Sequence, residues 1–163
     1  MKLALSTDHT GLKLLGQLQQ YLESQGHECV NYGPKGFQPD DDYPDFIFPA
    51  AQAVASDECE AGIIMGGSGQ GEAMAANRVV GVRCAVYYGP ARPVGAVDAE
   101  GQPARDEFEV LRLSREHNSA NMLSLAARFL NQSEIEKAVK IWLETQFGGV
   151  ERHQRRIDKL DRN

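Results

Sequence analysis

Short apolar runs alternate along this chain with segments of helical period, and no other feature restricts the fold as much. The runs lie at 3–6, 27–32, 61–65, 83–87 and 122–126. Each is short, apolar and bounded by turn residues, as a buried strand is. After the first, Leu12, Leu15, Leu18 and Leu22 recur at helical spacing until Gly26 stops them. Residues 46–55 are alanine-rich and helical, 72–78 open a third helix, and 110–117 form a fourth. A fifth follows Ser133-x-x-Glu136, read as a capping box ahead of Ile135, Ala138, Val139 and Trp142. Gly148-Gly149 is expected to break it, leaving a charged tail at 151–163. Strict alternation of this kind predicts an α/β fold: a three-layer α/β/α sandwich around a five-stranded, parallel, Rossmann-like sheet. The 163 residues suit one core, so 1–163 is read as a single domain. Ligands of such sheets bind beyond the carboxyl ends of the strands. A motif just after a strand is therefore a site candidate.

Composition narrows the partners. The net charge of −6 argues against nucleic acid, whose phosphates need a basic face. A small anionic ligand remains compatible, because a few local arginines outweigh a diffuse negative field. No apolar stretch approaches the ~20 residues of a membrane span, and no leader-like segment follows Met1. No membrane association and a cytoplasmic protein are expected. Cys29, Cys59 and Cys84 are far apart and odd in number, which predicts buried thiols rather than a disulfide or a zinc site.

Four stretches carry chemistry. Gly66-Gly67-Ser68-Gly69-Gln70-Gly71-Glu72 follows the third strand and opens a helix. Its glycines let backbone N–H groups approach an anion or a developing oxyanion. The spacing matches neither the dinucleotide nor the Walker fingerprint. Asp8-His9 follows the first strand, where Asp8 suits either proton transfer or capping of the next helix. His117-Asn118 precedes the fifth strand. In the tail, Arg152 and Arg156 stand one helical turn apart, so both can face one anion, unless the tail is only a solvated helix. Arg83 begins the fourth strand, at the edge away from the glycine loop, and reads as structural. Residues 88–109 form a long loop with four of its residues proline or glycine before Gly101.

Taken together, Asp8-His9-x-Gly11, Asp42-Tyr43-Pro44, Gly67-Ser68-Gly69-x-Gly71, Ala75-Ala76-Asn77-Arg78, Gly81-x-Arg83, Arg115-x-His117-Asn118 and Arg152-His153-Gln154-x-Arg156 occur in an order that resembles the type B ribose-5-phosphate isomerase and galactose-6-phosphate isomerase family. The resemblance covers nearly the whole chain apart from about 89–109. It implies a homodimer or homotetramer with shared active sites, a sugar phosphate as substrate, and neither metal nor organic cofactor. Asp8 and His117 would assist opening of the sugar ring. Gly67, Gly69 and Gly71, with Asn77, would hold the enediolate oxygens, and Ser68 would lie on the proton path between them. Tyr43 and Asn118 would line the site. His9, Arg128, Arg152 and Arg156 match phosphate-binding positions, some of them across a subunit interface.

The chain departs from the family pattern twice. Many members carry a cysteine base just after the third strand, where this chain has Gly66. A second branch uses a glutamate after the glycine loop, and Glu72 matches it. A carboxylate shielded from water can have its pKa raised toward neutrality, as an α-proton base requires. No cysteine is expected near the loop to compete with it. The long loop is the second departure; it is expected to wall the site, with Arg92 and Arg105 as candidate contacts. The expected activity is interconversion of ribose 5-phosphate and ribulose 5-phosphate. A hexose or tetrulose phosphate, or a non-catalytic binding module, are the alternatives.

Overall fold

A computed structural model describes residues 1–162. Its strands are β1 (Lys2–Thr7), β2 (Glu28–Asn31), β3 (Ala61–Gly66), β4 (Cys84–Tyr87) and β5 (Met122–Ala126), in the order β2-β1-β3-β5-β4 with every pair parallel. Parallel sheets need both faces covered. Helices α1 (Leu12–Ser24), α4 (Glu109–Glu116) and α5 (Gln132–Glu144) cover one, where Leu15, Leu18, Ile135 and Trp142 pack with Leu3, Leu5, Ile63 and Leu123. Helices α2 (Tyr43–Ala55) and α3 (Gln70–Ala76) cover the other, where Ile47, Ala50 and Val54 meet Ala4, Ile64 and Met122. Neighbours along a strand thus serve opposite layers, which is the period of two that a pleated strand imposes.

The chain leaves β1 toward β2 on one side and leaves β3 toward β4 on the other. The carboxyl ends of β1 and β3 are adjacent, with Thr7 paired to Met65, so a crevice opens there between Asp8 and the glycine loop.

Element ends differ from the sequence expectation in several places. Helix α2 starts three residues early, at Tyr43, because Asp42 is extended at the N-cap and Pro44 falls in the first turn, where a missing N–H costs nothing. The capping box sits at Asn131 and Glu134 rather than Ser133 and Glu136: Asn131 Oδ1 accepts from Glu134 N at 3.1 Å, and Asn131 N donates to Glu134 Oε2 at 2.8 Å. Helix α5 ends at Glu144, ahead of Gly148, and Arg115 takes the carbonyl of Thr145 just beyond it. The tail forms a further helix, α6 (Glu151–Ile157). Among the described residues no helix is long and apolar enough to cross a membrane.

The long loop is an ordered, tied structure. Ala91 N–H donates to Glu107 O at its base. Arg105 bridges Glu109 and Glu116 at 2.6 and 2.8 Å, so its guanidinium is a strut rather than a sugar contact. Arg92 lines a cavity made by the loop's own residues.

Candidate active site

Strand β3 ends at Gly66, and the chain turns through Gly67, Ser68 and Gly69 into α3. Gly66 O and Gly67 O accept from the N–H groups of Ala127 and Arg128, and Gly69 O accepts from Ser124 Oγ at 2.6 Å. With those carbonyls tied into the protein, the loop's amides are what it can offer to an oxyanion. Gly69 has φ 73, and a Cβ there would stand 3.1 Å from the Leu125 backbone, so only glycine fits. A Cβ on Gly71 would meet the Tyr43 ring at 2.9 Å, which places that ring over the loop. The Arg128 guanidinium lies over Gly67. Ser68 Oγ accepts weakly from Gln70 N at 3.4 Å.

Glu72, in the first turn of α3, is 5% exposed. Its carboxyl rests on the Cα of Gly66: a Cβ at 66 would lie 1.9 Å from Glu72 Cδ. Burial raises its pKa, and the nearby Asp8 carboxylate raises it further. The Cys84 thiol also lies within electrostatic reach of Glu72, which corrects the expectation that no cysteine is near. Burial, aided by Glu72, drives the thiol pKa far up, so it stays protonated and is no rival base. Cys29, Cys59 and Cys84 are all free; Cys59 is buried and the other two are partly buried.

Asp8 does not cap α1, whose N-cap is Gly11. Instead Asp8 Oδ1 accepts from the N–H and the hydroxyl of Thr10, which fixes the loop after β1. His9 Nδ1 lies 2.5 Å from Asp41 Oδ1 and 4.0 Å from Asp8 Oδ2. The Asp41 hydrogen bond is the main cause of a raised His9 pKa, which favours an imidazolium. The Asp41 side chain is only 3% exposed, and sequence reasoning left it in an acidic loop; its one signal was adjacency to Asp42-Tyr43-Pro44. Among the described residues, Asp8, His9 and Asp41 place one ligand atom each within 4.8 Å of one another, close enough to hold a metal.

His117 and the tail arginines are elsewhere. His117 caps the C-terminus of α4, ahead of β5, and so lies at the amino edge of the sheet. About 17 Å of strand separates that edge from the glycine loop. There the His117 ring meets His153 at 4.2 Å between centroids. Arg152 is one residue away, with Arg156 exposed on the next turn of α6. Asn118 is exposed beside His117 and contacts Leu113 O at 3.4 Å. Arg83 pins this loop, donating to the carbonyls of Asn118 and Ser119, as its structural reading requires. Asp8 and His117, given one role by the resemblance, therefore stand at opposite edges of one chain. Nor does Asn77 join the glycine loop. Its amide exchanges two hydrogen bonds with the Cys84 backbone, at 2.8 and 3.0 Å, and completes the open edge of β4.

Comparison with known proteins bears on the family and the fold. A family model described as Ribose/Galactose Isomerase matches residues 3–93 and 104–160. Ribose-5-phosphate isomerase B of Mycobacterium leprae is 35% identical over 160 residues, covering 98% of this chain and 88% of that protein. A probable ribose-5-phosphate isomerase B of Mycoplasma genitalium is 38% identical, covering 97% and 92%. The crystal structure of the Mycoplasma genitalium isomerase B with bound ribulose-5-phosphate superposes with TM-score 0.83 at 36% identity, over 99% of this chain and 94% of that one. The Clostridium thermocellum isomerase B does so with TM-score 0.83 at 34% identity, over 99% and 95%. A family model over nearly the whole chain and relatives of this identity and coverage have one explanation: the chain belongs to the ribose/galactose isomerase family.

Proposed function

We propose that this chain interconverts ribose 5-phosphate and ribulose 5-phosphate, with Glu72 as the base. The observation that carries the reading is the Glu72 carboxyl, buried and seated on Gly66 at the foot of the amide-lined loop. Bound ribulose-5-phosphate in a relative of this coverage supports the choice of sugar. After ring opening, Glu72 takes the C2 proton, and the C–H electrons form the C1–C2 double bond as O1 becomes an oxyanion. The amides of 67–71 cradle that charge. A proton passes from O2 to O1 beside Ser68, the C2 carbonyl forms, and Glu72 returns its proton to C1. His9 as imidazolium and Arg128 would hold the phosphate.

His117, Asn118, Arg152 and Arg156 would reach such a site only from a second copy, because they occupy the opposite edge. We therefore read the working unit as a homodimer or homotetramer with shared sites, acting in the cytoplasm without metal.

The test is Glu72→Gln. Turnover should fall by about 10²–10⁴, the usual worth of a general base. Sugar-phosphate affinity should stay within a few-fold, and solvent deuterium should no longer enter C1 of ribulose 5-phosphate. Wild-type exchange in that variant would reject Glu72. A chelator should leave the wild-type rate unchanged; loss of rate would instead assign a metal to Asp8, His9 and Asp41.

A further inference from the structure

The family model matches this chain on both sides of residues 94–103 and skips them. That skipped tip is organised around one carboxylate. Asp98 Oδ1 accepts from the N–H groups of Glu100 and Gln102, at 3.0 and 2.9 Å. Val97 N–H donates to Gln102 O at 2.9 Å, and Gly101 turns with φ 83. Asp98 is thereby spent on shaping the turn, while Glu100 is projected onto α6. Its two oxygens take the two terminal nitrogens of Arg152, at 2.8 and 2.9 Å. The pair stands at a cavity of about 570 Å³ lined also by His117, Gly148 and His153.

We propose that Glu100 sets the affinity of the phosphate subsite: it is a resident anion that occupies the Arg152 fork until a substrate phosphate displaces it. The inference rests on the reading above that Arg152 contacts phosphate. A carboxylate and a phosphate present the same two-oxygen edge to a guanidinium, so they exclude one another on it. The Arg152 and Glu100 side chains are 33% and 53% exposed, and an ion pair so open to water is weak enough to yield. Because the carboxylate is tethered, its local concentration is high, and a free monoanion competes poorly. A phosphate dianion, held by further cationic groups, competes well. The tip therefore lowers the apparent affinity of every anion that needs the Arg152 fork by one common factor, and so sets the KM for the sugar phosphate.

The experiment uses the full-length protein with inorganic phosphate as competitive inhibitor of the sugar phosphate. Glu100→Gln should lower the phosphate Ki and the KM about three- to ten-fold, with the change confined to KM rather than kcat. Glu100→Asp, one methylene shorter, should fall between. In an Arg152→Ala background Glu100→Gln should change nothing further. Glu100 sits at a loop tip, so these substitutions remove no core packing. A raised Ki in Arg152→Ala combined with an unchanged Ki in Glu100→Gln overturns the resident anion alone. An unchanged Ki in Arg152→Ala overturns the phosphate assignment, and the inference with it.

Discussion

At the scale of residues, the Glu72 carboxyl and the glycine beneath it form one unit. The Glu72 carboxyl fills the volume that a side chain at 66 would need. Gly66→Ala should expel it and cost turnover about as much as removing the base, ~10²–10⁴, with secondary structure retained by circular dichroism. Glu72 also carries a stability cost. Its folded-state pKa is raised, so the folded chain binds that proton more tightly than the unfolded chain does. Stability therefore falls as pH rises from the ordinary value of 4.5 through the raised one. Glu72→Gln should melt higher than the wild type at pH 8, with the gain vanishing below pH ~4; a gain that grew in acid would contradict the buried charge. The place of Glu72, in the first turn of the helix after the glycine loop, was legible in the sequence; its seat on Gly66 was not. The role of Asn77 was not, because it depends on which edge of β4 stands open, and only the strand order reveals that.

At the scale of elements, the strands were legible because continuous apolar runs between turn residues have few other readings. Their helices were legible too, but not their ends. Asn131-x-x-Glu134 and Ser133-x-x-Glu136 both satisfy the capping signature, and hydrophobic phase alone does not choose between them. The inserted loop shows the same limit. Its length suggested a wall for the Glu72 crevice, yet Arg105, Glu109 and Glu116 clamp its base to α4 and its tip rests on α6. Glu109 is 2% exposed and relies on Arg105, which is half exposed. Glu109→Gln should therefore destabilise by about 1–3 kcal/mol, less than the loss of a wholly buried pair. Arg105 lowers the Glu109 pKa, and Arg112 holds the Asp106 carboxyl down at about 2. For lowered carboxyls the stabilisation is complete above their ordinary values of 4.5 and 3.8 and fades as pH falls through the folded ones. Denaturant titrations across pH 2–5 should show a shallower acid loss in Glu109→Gln than in the wild type.

At the scale of the whole molecule, the glycine loop with Glu72 and the group around His117 occupy opposite edges of the sheet. The rule that set Arg83 apart, that a residue leading into a strand lies at its amino edge, applies equally to His117, so the shared role that the resemblance gives Asp8 and His117 needs residues of two subunits. The arrangement makes a sharp prediction for mixed oligomers. Glu72→Gln and His117→Ala should each be nearly inactive alone. Refolded together in equal amounts, they should regain roughly a quarter of wild-type activity, since half the dimers are mixed and one of the two sites in each is intact. Mixtures that stay inactive would place both groups in one chain's site.

The contact between position 66 and the carboxyl of Glu72 also bears on how such a chain could have arisen. A side chain at 66 and the Glu72 carboxyl cannot share this seat, so a thiol there would push the carboxyl off it. Changes at 66 and 72 are then expected to come in pairs, because the occupant of one position decides where the side chain of the other can rest.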